Sequence, residues 1–372
     1  GFRITHVRKS IMELLWVLII VPLILPFIFR IIWPHKVSWV ELGISVVVGV
    51  ALTAAVYGAG MYGQTADTEI LNGEVRSKSR THGSYVRTYD CRCHEVCSGS
   101  GSNKSCTRKC DTCYEDRYTV DWTCNTTLGA YTIKKLDTTS RSVYATPDPA
   151  RYTSIKAGDP VAQEHGFTNY VKAAPDSLFH ATNVDKFKSL IPLYPDTVFD
   201  YYRINRVFAM GVSVPDLALW NHELSLALRT LGPQKQANAI IVMVNTNDQS
   251  YVHALEGAWV GGKKNDIIVV IGTTAYPKID WVAVSSWTDK QLFKVQLRDE
   301  IMSMGNIDRT LIISALSKHT MSTFVRKSMK DFEYLRDQIE PPLWVLIVAL
   351  LLGIIASLGT SFYFYRANPL HR

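Results

Sequence analysis

Three long apolar blocks stand out from an otherwise mixed pattern of polar and apolar positions. They span residues 11–33, 37–62 and 343–365. Each exceeds the roughly 18 residues that a membrane-crossing helix needs, and the few charges in them, such as Glu13 and Arg30, lie near their ends. A buried core helix is the alternative for each block, but apolar runs of this length are typical of bilayer spans. The pattern predicts three transmembrane helices.

The spacing of these blocks predicts their topology. Only residues 34–36 separate the first two blocks, so we expect a transmembrane hairpin over residues 11–62. The N-terminal tail, residues 1–10, then shares one side of the membrane with the middle of the chain, and the C-terminal tail, residues 366–372, lies on the other. Lysine and arginine are nearly balanced between the two sides, and acidic flanks favour an extracytoplasmic position for the middle segment. We expect an integral protein of a bacterial-type inner membrane, with lipid as one partner.

Residues 63–214 are rich in Thr, Tyr, Ser and Pro, with short β-favouring pieces between turn residues. Six of the chain's seven cysteines lie within residues 91–113. The stretches "SYVRTYDCRCHEV" and "CTRKCDTCYEDRYTVDW" have strand character, and the polar stretch "SGSGSNKS" between them is typical of a turn. We therefore predict a β-rich subdomain that contains a cysteine-bearing hairpin.

The hairpin brings the six cysteines close together. It places Cys97 opposite Cys106, within the separation that a disulfide tolerates. The other four form two close pairs, one on each strand, which is typical of a ribbon-type zinc site with four thiolate ligands: Cys91, Cys93, Cys110 and Cys113. The alternative is that all six are oxidised to disulfides, with Cys124 free or paired between chains. Either role is structural, because neither leaves an open metal position or a nucleophile.

Beyond the β-rich part, the pattern changes to alternating helices and strands. Residues 238–245 and 265–272 are continuous apolar runs, typical of strands buried on both faces, and residues 280–287 form a third strand. Stretches with helical spacing precede, separate and follow these strands. The order predicts an α/β layer fold over residues 215–330, followed by a helix over residues 331–365 that leads into and includes the third span.

Four stretches of this part resemble the TPM domain, over about residues 215–325: "ANAIIVMVN", "YVHALEGAWVGGKKNDIIVVIG", "WVAVSSW" and "TDKQLFKVQLRDEI". The resemblance implies an α/β/α sandwich, usually outside the cytoplasm and often followed by a membrane helix. It also implies an accessory role in assembling or maintaining membrane complexes, with divalent-cation binding (calcium, for example) and weak acid phosphatase activity in some members. Asp266, which precedes the family's central strand, is the one acid carried over as a cation ligand. The chain departs from the family in having "SSWTD" where a glycine-rich turn is common.

The net charge of +7 does not indicate a nucleic-acid partner. The 40 Lys and Arg residues are scattered among 33 acids, without the basic stripe that a phosphate backbone demands. Residues 257–264, "GAWVGGKK", imitate a phosphate-binding loop, but they follow a helix, precede a strand and have Lys264 where Ser or Thr belongs. We interpret them as a glycine turn.

The spans carry small residues at helical spacing. Ala51, Ala55 and Ala59 recur every fourth position in the second block, and Gly353 and Ser357 have the same spacing in the third. Such faces let helices approach closely, either within one chain or between chains. No charge lies at the middle of a span, where a transporter would be expected to place one. We expect a homo-oligomer or association with other membrane proteins.

Together these patterns predict a non-enzymatic membrane-anchored scaffold or assembly subunit with a large extracytoplasmic domain. Its parts are transmembrane helices, a β-rich cysteine-containing subdomain and a TPM-like α/β domain. The alternative is a weak metal-dependent phosphohydrolase, which needs acids that cluster at strand ends. The acids available for it are Asp248, Asp266 and Asp289.

Overall fold

The computed structural model describes residues 2–98, 105–174, 185–199 and 203–367, with residues 2–16 and 105 described as backbone only. The chain divides into two units. The helical unit comprises Gly1–Thr68, Gly166–Asn183 and Ser328–Arg372, and the mixed unit comprises Glu69–His165 and Val184–Lys327.

Helices and strands follow one another along the whole chain, so the predicted mixture of α and β structure is confirmed. The helices are α1 (Phe2–Ile32), α2 (Trp39–Thr65), α3 (Ala150–Ser154), α4 (Tyr170–Ala173), α5 (Leu217–Lys235), α6 (Tyr251–Ala258), α7 (Gln291–Ser303), α8 (Arg309–Thr323) and α9 (Leu343–Ala367). The strands are β1 (Ala66–Ser98), β2 (Ser105–Thr126), β3 (Gly129–Thr138), β4 (Pro160–Thr168), β5 (Val207–Met210), β6 (Asn238–Val244), β7 (Asp266–Gly272) and β8 (Trp281–Ser285). Short 3₁₀ segments lie at Arg141–Ala145, Asp185–Leu190 and Met329–Gln338.

Among the described residues, two helices are long and apolar enough to cross a membrane. They are α2 and α9, with mean hydropathies of 2.0 and 2.5 over their most apolar stretches. The stretch of α1 whose side chains are described and apolar, Val17–Ile32, is shorter. Part of the first predicted span, residues 11–16, therefore lies outside the described side chains.

The three apolar helices pack against one another through small residues. A Cβ atom added at Gly49 would collide with Ser357 Oγ, and one added at Gly353 would collide with Thr53 Oγ1. Gly60 likewise leaves no room for a side chain against Val345. These glycines therefore allow α2 and α9 to approach closely, as small residues do between membrane helices.

The alanine row predicted for the second span lies elsewhere on the helix. Ala51, Ala55 and Ala59 are exposed, and an added Cβ at Gly58 would meet nothing within 4 Å. The packing face of α2 is offset from this row by about 200° of helix rotation, since Gly49 precedes Ala51 by two residues. The predicted pair Gly353 and Ser357 therefore lies in the contact within the chain, whereas the alanine row takes no part in it.

The first sheet has the strand order β3-β2-β1-β4. β1 and β2 pair antiparallel from Val75 opposite Thr126 to Ser98 opposite Ser105, and β3 pairs antiparallel with the inner part of β2, residues 118–126. Val120 and Trp122 of β2 are fully buried and pack with Val143, and these residues form a small core at the inner end of β2.

The second sheet has the order β5-β6-β7-β8, with β5, β6 and β7 parallel and β8 antiparallel to β7. Apolar residues of α5, α7 and α8 cover one face, and those of α6 and the segment Asp185–Leu190 cover the other. Every residue of β6 and β7 is buried, as expected of parallel strands with helices on both faces. β5 precedes residue 215, so this sheet begins earlier in the chain than the predicted α/β boundary.

The helix predicted to lead into the third span is interrupted. α8 ends at Thr323, Met329–Gln338 is a 3₁₀ segment, and α9 begins only at Leu343. Pro341 and Pro342 stand directly before α9, and proline both lacks an amide hydrogen and disfavours helical backbone in the residue before it. The approach to α9 is therefore not the continuous helix predicted from residue 331.

Candidate functional site: a disulfide-braced ribbon and a buried aspartate

β1 and β2 extend well beyond the rest of their sheet. β3 pairs with β2 no further than Tyr118, and β4 meets β1 near Val75. Beyond these points, among the described residues, 84–98 and 105–117 pair only with each other. We call these two segments the ribbon. At about 3.3 Å per residue its first strand is roughly 50 Å long.

Three disulfides brace the ribbon. Cys97 lies opposite Cys106 and is bonded to it. The four cysteines considered as zinc ligands are also oxidised, with Cys91 bonded to Cys113 and Cys93 bonded to Cys110. A disulfide sulfur carries no thiolate charge, so the oxidised ribbon offers no four-thiolate zinc site. All six cysteines of the hairpin are therefore in disulfides, as in the alternative to the zinc site, and Cys124 is buried and free.

The disulfides give the ribbon the rigidity that packing does not. An isolated two-stranded ribbon is only marginally stable in water. The three cross-links join cysteines 22, 17 and 9 residues apart, and each such cross-link stabilises a fold by about 2–4 kcal/mol. Stable disulfides form mainly in oxidising compartments.

Large apolar and aromatic side chains are exposed on both faces of the ribbon. Tyr85 and Tyr89 lie on one face with exposed fractions of 47% and 43%. Val86 and Tyr114 lie on the other with 56% and 72%, because side chains alternate between faces along a strand. Exposed tyrosines with little core behind them are typical of protein-binding surfaces.

One of these tyrosines is anchored at the inner end of the ribbon. The Tyr85 hydroxyl donates a hydrogen bond of 2.7 Å to Asp137 on β3, and the Arg117 guanidinium donates to the other oxygen of that carboxylate at 2.9 Å. The bond to the Asp137 carboxylate raises the pKa of Tyr85. The same two donors lower the pKa of Asp137. The base of the ribbon is therefore fixed by a charged network.

Asp266 lies at the amino end of the parallel strands, where it is 1% exposed. Asn238, its neighbour on β6, donates from Nδ2 to Oδ1 at 2.9 Å. The Tyr194 hydroxyl and the backbone amide of Lys263 both donate to Oδ2 at 2.7 Å. Burial raises the pKa of Asp266, and these hydrogen bonds oppose that effect.

A buried arginine completes this network. Arg206, directly before β5, donates from Nε to Asn238 Oδ1 at 3.0 Å and from Nη2 to Asn72 Oδ1 at 2.5 Å. Burial lowers the pKa of Arg206 to about 9, which leaves the guanidinium charged at neutral pH. The amide of Asn238 thus connects a buried cation to the buried carboxylate of Asp266.

This environment suits a structural carboxylate better than a cation ligand. Both oxygens of Asp266 already accept hydrogen bonds from within the protein. Among the described residues, the one group of three or more potential ligands consists of Glu95, Cys97 and Cys106, and its two sulfurs form a single disulfide. Metal sites of hard cations normally collect several oxygen ligands. The predicted divalent-cation role of Asp266 thus gains no support from the geometry.

The glycine turn before β7 packs around the side chain of Asp266. Gly262 has φ +73°, and a Cβ added there would lie 3.0 Å from Asp266 Oδ2. The carboxylate accepts the amide of Lys263, so the turn wraps around it. Lys264 faces the buried carboxylate of Glu69 at 3.4 Å instead of open solvent. In the loop that resembles a phosphate-binding motif, the backbone amide of Lys263 and the side chain of Lys264 are therefore engaged by acids of the protein itself.

The acids required by the hydrolase alternative do not meet. Asp266 begins β7, whereas Asp248 follows the carboxyl end of the neighbouring strand β6 and pairs with Lys186. Asp289 follows β8 and is paired with Lys327. The ion pair with Lys186 and hydrogen bonds from Ser250 lower the pKa of Asp248 to about 2. Asp248 thus lies at the opposite end of the sheet from Asp266, and Asp289, beside the start of β7, is exposed whereas Asp266 is buried.

A groove of about 670 Å³ runs between β5 and α5 in the mixed unit. Its walls are mainly apolar. They are formed by residues 207–210 of β5 and by Leu217 and Ala218 of α5. Asn221 and His222 contribute polar atoms. Ser225 also lines the groove, but its hydroxyl donates to the backbone oxygen of Asn221 at 2.8 Å and accepts from the Arg206 guanidinium. Among the described residues that line the groove there is no carboxylate, so the lining lacks the acid that would orient His222 as a base.

Sequence reasoning missed a second buried acid. Glu69 on β1 is fully buried and accepts from Arg326, with Lys264 and His165 at 3.4 and 3.1 Å. Its partners come from three distant parts of the chain, so no local pattern could have identified it. Arg206 was missed for the same reason.

Comparisons with known proteins add no relative. No protein-family model, curated protein or solved structure matches this chain. The TPM resemblance therefore stays a prediction.

Proposed function

We propose that the protein is a non-enzymatic, membrane-anchored assembly subunit whose ribbon docks onto another protein surface. The observation that carries this proposal is the ribbon: two strands, both faces exposed, braced by three disulfides and carrying Tyr85, Tyr89, Val86 and Tyr114. Such an element buries little of its own surface. Its covalent bracing makes sense if it must hold a fixed shape to present side chains to a partner.

The anchor in this proposal is the helical unit. α2 and α9 have the length and hydropathy of membrane spans, and α1 packs with them. We propose that all three cross the membrane of a bacterial-type cell, with the disulfide-bearing domain on the extracytoplasmic side. The oxidised cysteines support this sidedness, because cytoplasmic thiols are kept reduced.

An assembly role is favoured over the phosphohydrolase alternative. Asp248, Asp266 and Asp289 do not converge, and Asp266 has its hydrogen-bonding capacity engaged internally. The ribbon, in contrast, offers aromatic surface of the type that dominates protein interfaces. The partner in this proposal is a second copy of the chain or another membrane protein.

The test is the mass of the detergent-extracted assembly. We expect the double variant Tyr89→Ala, Tyr114→Ala to lose subunits or partner relative to the native protein, because truncating aromatic anchors costs about 2 kcal/mol or more each at an interface. Tyr131→Ala is the matched control, since Tyr131 is 41% exposed on β3, outside the ribbon. An unchanged mass for the double variant, or an equal loss for the control, contradicts the proposal.

A further inference from the structure

Four polar side chains are buried inside the helical unit without hydrogen-bond partners for one oxygen each. Glu41 and Ser45 on α2 and Ser357 on α9 are 0% exposed, and Ser361 is 1% exposed. Within the described part of the chain, Glu41 Oε1 and the three serine Oγ atoms accept and donate no hydrogen bond. Buried polar atoms are almost always paired, so such a group requires an explanation.

The four residues form one row along the contact of α2 and α9. Gly49 meets Ser357, and Gly60, further along α2, meets Val345, which comes earlier on α9. The two helices are therefore antiparallel. Ser45 precedes Gly49 by about one turn of α2, and Ser361 follows Ser357 by about one turn of α9. Because the helices are antiparallel, Ser45 and Ser361 lie at the same level. Glu41 lies one further turn along the same face of α2.

Two nearby threonine hydroxyls are hydrogen-bonded to backbone oxygens of their own helices. Thr53 Oγ1 donates to the backbone oxygen of Gly49 at 2.9 Å, and Thr360 Oγ1 donates to that of Ala356 at 2.7 Å. Threonine and serine commonly satisfy themselves in this way within helices. The three serines of the row have no such internal partner, so their hydroxyls keep their capacity to donate or accept.

The charge of Glu41 also lacks a partner on this face. Its other oxygen, Oε2, accepts the backbone amide of Ser38 at 2.7 Å and caps α2. Arg30 donates to the carbonyl of Pro34 at 2.8 Å and stacks over Trp39 at 5.0 Å. No basic side chain among the described residues forms an ion pair with Glu41. A buried carboxylate without a cation is strongly disfavoured.

We propose that this row binds a small monovalent cation of the size of Na⁺. Glu41 Oε1 and the hydroxyls of Ser45 and Ser361 are its ligands, with Ser357 next along the row. Carboxylate and hydroxyl oxygens are hard ligands suited to such an ion. One carboxylate balances one positive charge, whereas a divalent ion would leave a net charge buried among apolar helices. The site lies between α2 and α9 in the helical unit and includes no residue of the ribbon.

The test is cation-dependent stability of the full-length protein in detergent. At constant ionic strength, we expect NaCl to raise the midpoint of thermal unfolding saturably, and choline chloride to leave it unchanged. Glu41→Gln raises the half-saturating Na⁺ concentration by at least about tenfold, and Ser361→Ala raises it by a smaller factor. Thr360→Ala is the matched control, because its hydroxyl is already bonded within α9.

Direct binding of radioactive ²²Na⁺ to the purified native protein provides a second readout, should Glu41→Gln fail to fold. Equal stabilisation by choline, or a Na⁺ response that survives unchanged in Ser361→Ala and Glu41→Gln, overturns the proposal. No ²²Na⁺ binding together with no salt dependence also overturns it. The ribbon variant Tyr89→Ala, Tyr114→Ala keeps its Na⁺ response, so this result is separable from the docking proposal.

Discussion

At the scale of single residues, the mixed unit is organised around two buried acids with different partners. Asp266 is held by neutral and backbone donors and linked to Arg206 through an amide. Glu69 is held by the side chains of basic residues. Both have the character of structural groups, since a buried charge is stable only where partners surround it.

Asn238→Ala is expected to destabilise the mixed unit strongly. The change leaves Asp266 Oδ1 and Arg206 Nε without the partner they share, and each lost buried hydrogen bond to a charged group costs about 1–3 kcal/mol. We expect a loss of about 2–4 kcal/mol in the free energy of unfolding, measured by denaturant titration followed by fluorescence.

The matched control for this prediction is Asn125→Ala. Asn125 is exposed on β2 and donates to Ser77, so the loss there should stay within about 0.5 kcal/mol. A similar loss for both variants would mean that the Asp266 network contributes nothing special to stability.

Single residues were partly predictable. The apolar run that follows Asp266 predicted a buried strand over residues 265–272, and the structure has β7 there, beginning at Asp266. Its hydrogen-bond partners were not predictable, because Tyr194 and Asn238 are distant in sequence and are brought close only by the sheet.

At the scale of elements, the ribbon and the α/β sheet are stabilised by different means. The ribbon relies on covalent cross-links, whereas β6 and β7 are buried between two layers of helices. Reduction should therefore affect the two elements unequally.

We expect a reductant to increase amide hydrogen exchange in residues 84–98 and 105–117 by orders of magnitude. Without disulfides a two-stranded ribbon opens readily, and open amides exchange fast. Asn238–Val244 and Asp266–Gly272 are the internal controls and should keep their protection. Equal loss of protection in both elements would show that the disulfides stabilise the whole mixed unit instead of the ribbon alone.

Elements differed in how well the sequence predicted them. β6 and β7 were predicted nearly to the residue, because a strand buried on both faces is a continuous apolar run. β5 was assigned to the wrong part of the chain, because four residues carry no signal of which sheet they join. The break between α8 and α9 was missed although Pro341 and Pro342 mark it.

At the scale of the whole molecule, the proposed architecture combines a helical anchor with an oxidised, partner-binding domain. The redox state of the cysteines reports on the side of the membrane, since disulfides are rare in a reducing cytosol. This gives a test of sidedness that requires no knowledge of the partner.

Acid-quenched cells treated with a mass-shifting maleimide under denaturing conditions should yield a chain modified once, at Cys124. After full reduction the same treatment should modify all seven cysteines. Seven modifications without prior reduction would place the ribbon in a reducing compartment and reopen the zinc alternative for Cys91, Cys93, Cys110 and Cys113.

The sequence by itself determined what depends on neighbours along the chain: the apolar helices, the hairpin that sets Cys97 opposite Cys106, and the central strands. These follow from periodicity and turn chemistry, which act over a few residues. Tertiary structure alone decided which face of α2 packs on α9, how Arg206, Asn238 and Asp266 are linked, and how β5 joins its sheet. Those outcomes depend on contacts between distant segments, which form only when burial of the apolar faces brings the segments together.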